Sequence, residues 1–434
     1  MARQEPKIPL DVIIIGGSLA GLLHGVVLTR LGHNVHILEK SPTNFREQQG
    51  GAGIIIGADS AKFLARFDAS EQRINLQTKT FQYFGANGSV TEKRKFPNHM
   101  SSWAIFYYRL RWLFDGLTST ANPLARVMGS GEGKATVQLD ATVQSVRPLD
   151  DDPTGKMNVT YITSGNEKPT TILADLVLDA SGFGSAIRKA VLPDCPVSYV
   201  GVLATRGTIP ETSVADSTRA QFDERSGYSF NFTIRDGHWA IGFLIPGTTG
   251  STVPGERLIN FVWHRPVERD GELWKQLMTD KHGVLRRSTM PVGCVSDAAW
   301  QSCINDAEER LDPLFADLVK STEQPFLTAI NESLPSHISF FNIRLLLVGE
   351  AACLTPPWGA AAVGQSAISA FALERVMRGE IGMEEWEKEV LGSGGRTAAR
   401  CSSFQREYLV EKRIEVNGTT LRGNRADSVI NLPI

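Results

Sequence analysis

The chain has 434 residues, 42% hydrophobic and 21% charged, which suits two domains or one large elaborated domain around a substantial core. Its formal net charge of -2 leaves no basic surplus, so nucleic acid is not an expected partner. No apolar run reaches the roughly 18 residues of a membrane helix, and MARQEPKIPL has no secretory apolar stretch, so a cytoplasmic, membrane-free setting is expected.

In chain order, the first element is DVIII, whose β-branched run from Val12 to Ile15 predicts a strand buried on both faces. Apolar residues at helical spacing follow from Leu19 to Leu31, and Gly32 ends that helix. NVHIL is then a second strand leading into Glu39, which completes a βαβ unit. Between its first strand and helix lies GGSLAG. A dinucleotide pyrophosphate needs backbone N–H groups converging at a helix N-terminus with no side chain in the way. Gly16 makes the turn, Gly21 allows close helix–strand packing, and Ser18 is small enough for the phosphate position. Glu39 stands close to the ~20-residue spacing of an acid that binds a ribose hydroxyl. An acid there favours FAD or NAD over NADP. Gly17, Ala20 and Lys40 complete this group of candidate cofactor contacts. Two other readings are excluded. His33 and His36 straddle a turn and a strand start, which does not suit a metal site, and Ala20 stands where a nucleophile elbow needs glycine.

QQGGAGIIIGADSAKFL places glycines ahead of a further helix. Gly51, Ala52 and Gly53 are candidate backbone for a flat ring system. TFQYFGANGSVTEKRKF reads as a hairpin on Asn87-Gly88, YYRLRWLFDGLTST as a helix, and Ala135 to Leu173 as a strand meander. Another buried strand ends in LVLDASG. From Cys195 to about Ser336, longer alternating strands and two or three helices form a separate sheet layer. In GYSFNFTIRDGHWAIGF, alternation puts Tyr228, Phe230 and Phe232 on one face. On the next strand, either His238, Ala240 and Gly242 or Trp239, Ile241 and Phe243 share that face. An aromatic sheet face suits a planar substrate, although ordinary core packing explains each residue equally well. RLLLVGEAA and a long helix from GAAAVGQ then close the first domain. The expected architecture is α/β: a discontinuous Rossmann-like domain binding FAD or NAD, 1–194 and 336–434 with C-terminal helices, and an inserted β-sheet substrate domain, 195–335; the resemblance given next makes the first an FAD-binding domain. The five cysteines are scattered and lack any C-x-x-C pair, so neither a disulfide framework nor a zinc site is expected.

The cradle, LVLDASGFGSAIRK, VGEAACLTPPWGAAAVGQ, YYRLRWLF, ATRGTIPE and PGERLINFVWHRPV together resemble the class A flavoprotein monooxygenases. These are the FAD-dependent aromatic-ring hydroxylases, and the 2,6-dihydroxypyridine 3-hydroxylase subgroup is the nearest in pattern. The resemblance spans almost the whole chain. It implies that Gly16, Ser18, Gly21 and Glu39 bind the AMP half of FAD and that Arg111 approaches the flavin side. Glu350 would bond the ribityl chain, and Pro357, Gly359, Ala360 and Ala361 would run past the isoalloxazine ring. Their helix start would face the edge where reduced flavin carries negative charge. It also implies NADPH or NADH as reductant, O2 added at flavin C4a as a hydroperoxide, and a phenolic or hydroxylated N-heteroaromatic substrate. A monomer or homodimer is expected. Trp358 replaces a histidine of the subgroup and is expected to shape the pocket, and no residue is assigned as catalytic base. Two motifs depart from the family. Glu350 replaces the usual aspartate, and Ser181 replaces the acid of the second motif. The Ser181 change is either simple drift, with Ser donating where the acid accepts, or the loss of a charge-assisted hydrogen bond worth ~1.5–3 kcal/mol, which would weaken nicotinamide use and keeps open an FAD-binding oxidase or cyclase with altered or absent NAD(P)H use. A non-catalytic binder is disfavoured by the intact cradle.

Overall fold

The computed structural model describes residues 8–42, 52–127, 129–149, 155–224 and 227–407. Its first layer is built where the sequence is most uniformly apolar. The strand Asp11–Ile15, with Val12 to Ile15 all buried, pairs in parallel with Asn34–Leu38 on one side and Leu176–Asp179 on the other. Ala135–Gln138 extends this sheet beyond Asn34–Leu38, and Leu345–Leu347 extends it beyond Leu176–Asp179. Ser339–Phe340 adds an antiparallel edge, giving six strands. One face packs on the helices Leu19–Arg30, Trp103–Asp115 and Ala362–Met377. The other face packs on a three-stranded antiparallel sheet, Thr142–Pro148, Met157–Thr163 and Asn166–Ala174. A sheet covered on both faces needs side chains that are apolar in every direction, which accounts for the unbroken β-branched runs.

The second layer is a ten-stranded sheet. Its central strands are Phe326–Glu332, Ser198–Pro210, Leu258–Pro266, His238–Ile245 and Gly227–Arg235, in that order. Alternation sorts its side chains. Ala240, Leu244, Phe261 and Trp263 pack under the helices Glu272–Met278, Asp297–Arg310 and Pro313–Lys320. Trp239, Phe243, Val262, Phe230 and Ala204 form the opposite face. The sheet also recruits segments from well before residue 195. Leu76–Phe84 pairs in parallel with Gly227–Arg235, Val90–Ser102 pairs with it as the Asn87-Gly88 hairpin, and Gly53–Ile56 follows at the edge. Alternation in TFQYF marks a strand and a face, but it carries no information about a partner some 150 residues away, so the sequence reading left these strands outside this sheet.

Among the described residues, no helix is long and apolar enough to cross a membrane.

Candidate active site

A cavity of about 440 Å3 lies where the two layers meet. One wall comes from the βαβ unit. Gly16 has φ +103°, and a Cβ on it would sit 2.5 Å from the Ala180 carbonyl oxygen. At Gly21 a Cβ would sit 2.1 Å from the Gly16 carbonyl oxygen, so both positions require glycine for close packing. Ser18 is the N-cap of the Leu19–Arg30 helix but makes no side-chain cap, and Ser18 and Ala20 line the cavity. The helix's first N–H groups therefore point toward the cavity without a side chain across them. Glu39 is buried at the end of its strand. Its Oε2 accepts from the Gly17 amide at 2.7 Å and its Oε1 from the Ser41 amide at 2.9 Å. The carboxylate thus clamps the glycine turn to the second strand. Lys40 is exposed, and Gly51 lies outside the described residues. The Ala52 carbonyl accepts from the Trp103 amide, and Gly53 lines the cavity while donating to Asn260 Oδ1 at 2.8 Å. A Cβ on Gly53 would lie 2.5 Å from the Asn260 side chain, so this stretch also needs bare backbone.

A second wall is the segment from Glu350 to Ser366. Pro357–Gly359 makes one 3-10 turn, Ala360 is left-handed at φ +47°, and Ala361 then starts the Ala362–Met377 helix with no side-chain cap. Ala360, Ala361 and Ala362 all face the cavity, so this helix start is a second uncapped N-terminus turned toward it. Trp358 also lines the cavity, with its Nε1 donating to the Cys401 carbonyl at 3.2 Å. Gly359 is pressed against the C-terminal helix Met383–Gln405, where a Cβ would lie 2.8 Å from Thr397 and 2.9 Å from Cys401 Sγ.

The third wall is the aromatic face of the large sheet. Its register settles which of the two alternative sets faces the cavity. Phe230 pairs with Phe243, Phe232 with Ile241, and Ile234 with Trp239. The set is therefore Trp239, Ile241 and Phe243, all of which line the cavity beside Phe230. Phe232 packs just behind, between Phe81 and Trp239.

Three expected contacts are corrected. Tyr228 leaves this face: register against Leu76–Phe84 slips between Tyr228 and Ser229, and the Tyr228 ring packs under Arg257 at 4.9 Å. His238 pairs with Arg235 beside the turn and lies near the Trp263 ring on the opposite face; burial lowers its pKa to about 4. Arg111 is drawn back along its own helix, to Asp115 at 2.7 Å and the Tyr107 hydroxyl at 2.8 Å, and does not line the cavity.

Two polar residues that no motif singled out do line it: Arg206 and His264. Ala204 pairs with His264 and Arg206 with Val262, so both side chains stand on the cavity face as diagonal neighbours. Arg206 has no hydrogen-bond partner at Nε among the described residues. Burial lowers its pKa to about 10, partly offset by the charge of Glu350, so it remains a cation near neutrality. Burial raises the Glu350 carboxyl, which the Arg206 charge partly offsets. By surface area Arg206 is half-buried and Glu350 is exposed, and both line the cavity. The sequence signal for Arg206 and His264 was weak, since Arg206 stands beside Thr205, and His264 shares its strand with Asn260 and Arg265.

At the second motif, the Ser181 hydroxyl donates to Asp179 Oδ1 at 2.5 Å, its amide donates to the same oxygen at 3.0 Å, and the Ser185 hydroxyl donates to Oδ2. Asp179 is fully buried, and that burial raises its pKa against these hydrogen bonds. The carboxylate of this region therefore sits two residues earlier, beneath the loop rather than on the cavity surface.

These residues fit an FAD. Glycines stand where a Cβ would fill the cradle, and two uncapped helix N-termini and bare backbone at Gly53 face one continuous cavity. Ser18, Ala20, Gly53, Glu350 and Ala360 to Ala362 are the residues that would hold it.

Comparison with known proteins also points to an FAD-binding domain. The FAD binding domain family matches residues 9–64, and an FAD binding domain-like family matches residues 199–332. A 2,6-dihydroxypyridine 3-monooxygenase of Paenarthrobacter nicotinovorans is 24% identical over 389 residues, covering 88% of this chain and 87% of that protein. The structure of 2,6-dihydroxypyridine-3-hydroxylase from Arthrobacter nicotinovorans superposes with TM-score 0.76 at 21% identity, covering 96% and 95% of the two chains. Klebsiella pneumoniae HpxO, complexed with FAD and uric acid, superposes with TM-score 0.61 at 15% identity over 93% and 88%. The chain carries an FAD-binding domain, and in its fold and in these relatives it is similar to the class A flavin hydroxylases.

Proposed function

We propose that the protein hydroxylates a planar phenolic or hydroxylated N-heteroaromatic molecule, consuming NAD(P)H and O2. The observation that carries this reading is the cavity itself, in which the walls that would hold FAD face an aromatic wall bearing a cation, Arg206, and an imidazole, His264, that has no hydrogen-bond partner among the described residues. Bound FAD supplies acceptance of hydride from the nicotinamide and activation of oxygen. The protein's own contribution is positioning and exclusion of water. Phe230, Phe243, Trp239 and Trp358 present apolar surface against which a flat ring can lie. The uncapped start of the Ala362–Met377 helix favours negative charge nearby, and Arg206 adds a fixed positive charge on the facing wall. Relatives named for action on a hydroxypyridine and for a complex with uric acid support a small planar substrate.

The test is anaerobic mixing of the purified flavoprotein with NADPH and then NADH, with and without 2,6-dihydroxypyridine or a phenol. Flavin bleaching that accelerates with the aromatic compound is expected. A yellow protein that neither nucleotide reduces across a broad panel of aromatics would overturn the reading. It would favour an oxidase or cyclase instead, for which the one supporting observation is Ser181, whose hydroxyl is committed to Asp179.

A further inference from the structure

The chain contains two deeply buried histidines in opposite situations. His24 has both ring nitrogens engaged, Nδ1 with the Ala20 carbonyl at 2.8 Å and Nε2 with the Ser369 hydroxyl at 2.9 Å. His264 is 1% exposed and neither ring nitrogen has a hydrogen-bond partner among the described residues. Leaving such a group unpaired is costly, and an unpaired polar side chain in a cavity wall marks a place where something else completes it. The ring is also held still. It stacks on Trp239 with centroids 3.7 Å apart and planes 11° apart, and Trp358 meets it edge-on at 5.6 Å. Trp239 Nε1, in the same stack, likewise lacks a partner among the described residues. The imidazole is therefore fixed in plane at the cavity wall, its two nitrogens buried and without a partner among the described residues, so a ligand reaches them only where the neighbouring side chains give way. Burial and the neighbouring Arg206 charge lower its pKa well below the ordinary value, so it is neutral and offers one donor and one acceptor.

We propose that His264 is the specificity-determining anchor of the aromatic ligand: it hydrogen-bonds an in-plane hydroxyl or ring N–H, with the ring plane set by Trp239. This rests on the proposed hydroxylase reading and names a residue for it. The selected ligand class is a flat aromatic with a hydroxyl or N–H on its edge. A site built to bond such a group rejects the analogue lacking it, because its own polar atoms then stay unpaired.

The test uses the FAD-loaded protein and the near-isosteric pair 4-nitrophenol and 4-nitrotoluene, with binding read from perturbation of the flavin spectrum. Wild type is expected to prefer the phenol at least tenfold. His264→Phe is expected to bind both alike, and His264→Asn to recover part of the preference. Because a core substitution can disturb folding, flavin content and melting temperature are measured alongside. Wild-type protein with 15N-labelled histidine gives an independent reading. The His264 ring signals, assigned by their loss in His264→Asn, should shift with the phenol and stay still with the toluene. A preference unchanged in His264→Phe, or ring signals indifferent to the phenol, overturns the anchor and leaves the hydroxylase reading intact. Failure of wild type to bind any of a panel of phenols and hydroxypyridines overturns that reading, and the anchor with it.

Discussion

The Trp358 indole N–H donates to the Cys401 carbonyl at 3.2 Å, and Cys401 Sγ lies 3.5 Å from the Pro356 carbonyl oxygen. The cavity segment and the C-terminal helix are thus joined at two points within a few residues. A buried hydrogen bond is worth about 0.5–1.5 kcal/mol net, so Trp358→Phe, which keeps the ring surface but loses the donor, should weaken FAD binding about threefold to tenfold. Quenching of free FAD fluorescence on titration with apoprotein measures this. Affinity within a factor of two of wild type would show that the joint does not position the cofactor wall.

Gly21→Ala should abolish stable FAD retention, because its Cβ would meet a backbone oxygen at 2.1 Å and the helix must move off the strand. Gly57→Ala is the control. It is the N-cap of the Ala58–Phe67 helix, and a Cβ there meets nothing within 4 Å. The flavin-to-protein absorbance ratio after gel filtration separates the two, with Gly57→Ala remaining yellow and Gly21→Ala colourless.

Restoring the usual acid at the second motif should harm this protein rather than improve it. Ser181→Asp would put a carboxylate where a hydroxyl now donates to buried Asp179 at 2.5 Å, replacing attraction with like-charge repulsion. A lower melting temperature than wild type is expected, with Ser181→Ala between the two. A Ser181→Asp protein as stable as wild type, with faster reduction by NAD(P)H, would contradict this account.

Stability should fall steeply in acid. Burial lowers the His24 pKa from 6.5 to about 4, and His238 is lowered to about 4 as well. Below the unfolded value the unfolded chain holds the extra proton and the folded chain does not, so stability rises with pH between about 4 and 6.5. For fully buried His24 the loss at pH 5 is on the order of 1–2 kcal/mol by this linkage. Urea midpoints at pH 7.5 and pH 5 measure it, and His24→Gln should reduce the difference between them, with His238 and His264 carrying the remainder. An unchanged difference would place the acid sensitivity elsewhere.

How much of this was legible in the sequence depended on range. The cradle was legible because Gly16, Gly21 and Glu39 act within one βαβ unit, where spacing fixes geometry. The cavity-lining segment at Pro357 to Ala361 was singled out through its resemblance to a known pattern. Arg206 and His264 were not found, because their meaning lies in the pairing of Ser198–Pro210 with Leu258–Pro266, which alternation alone does not specify. Tyr228 failed for a local reason. Alternation assumes an unbroken ladder, and the ladder slips at that residue. Arg111 failed because a partner one helical turn away, Asp115, competes successfully for its guanidinium.

The parallel pairing of Leu76–Phe84 with Gly227–Arg235 has a consequence for biogenesis. Parallel strands so distant in sequence are slow to meet, since loop closure precedes any reward. As the chain leaves the ribosome, the early hairpin has to wait for a strand made much later, with one edge open to wrong partners. Excising the middle third, or expressing either half alone, would therefore strand that edge, and such fragments should aggregate rather than behave as independent modules.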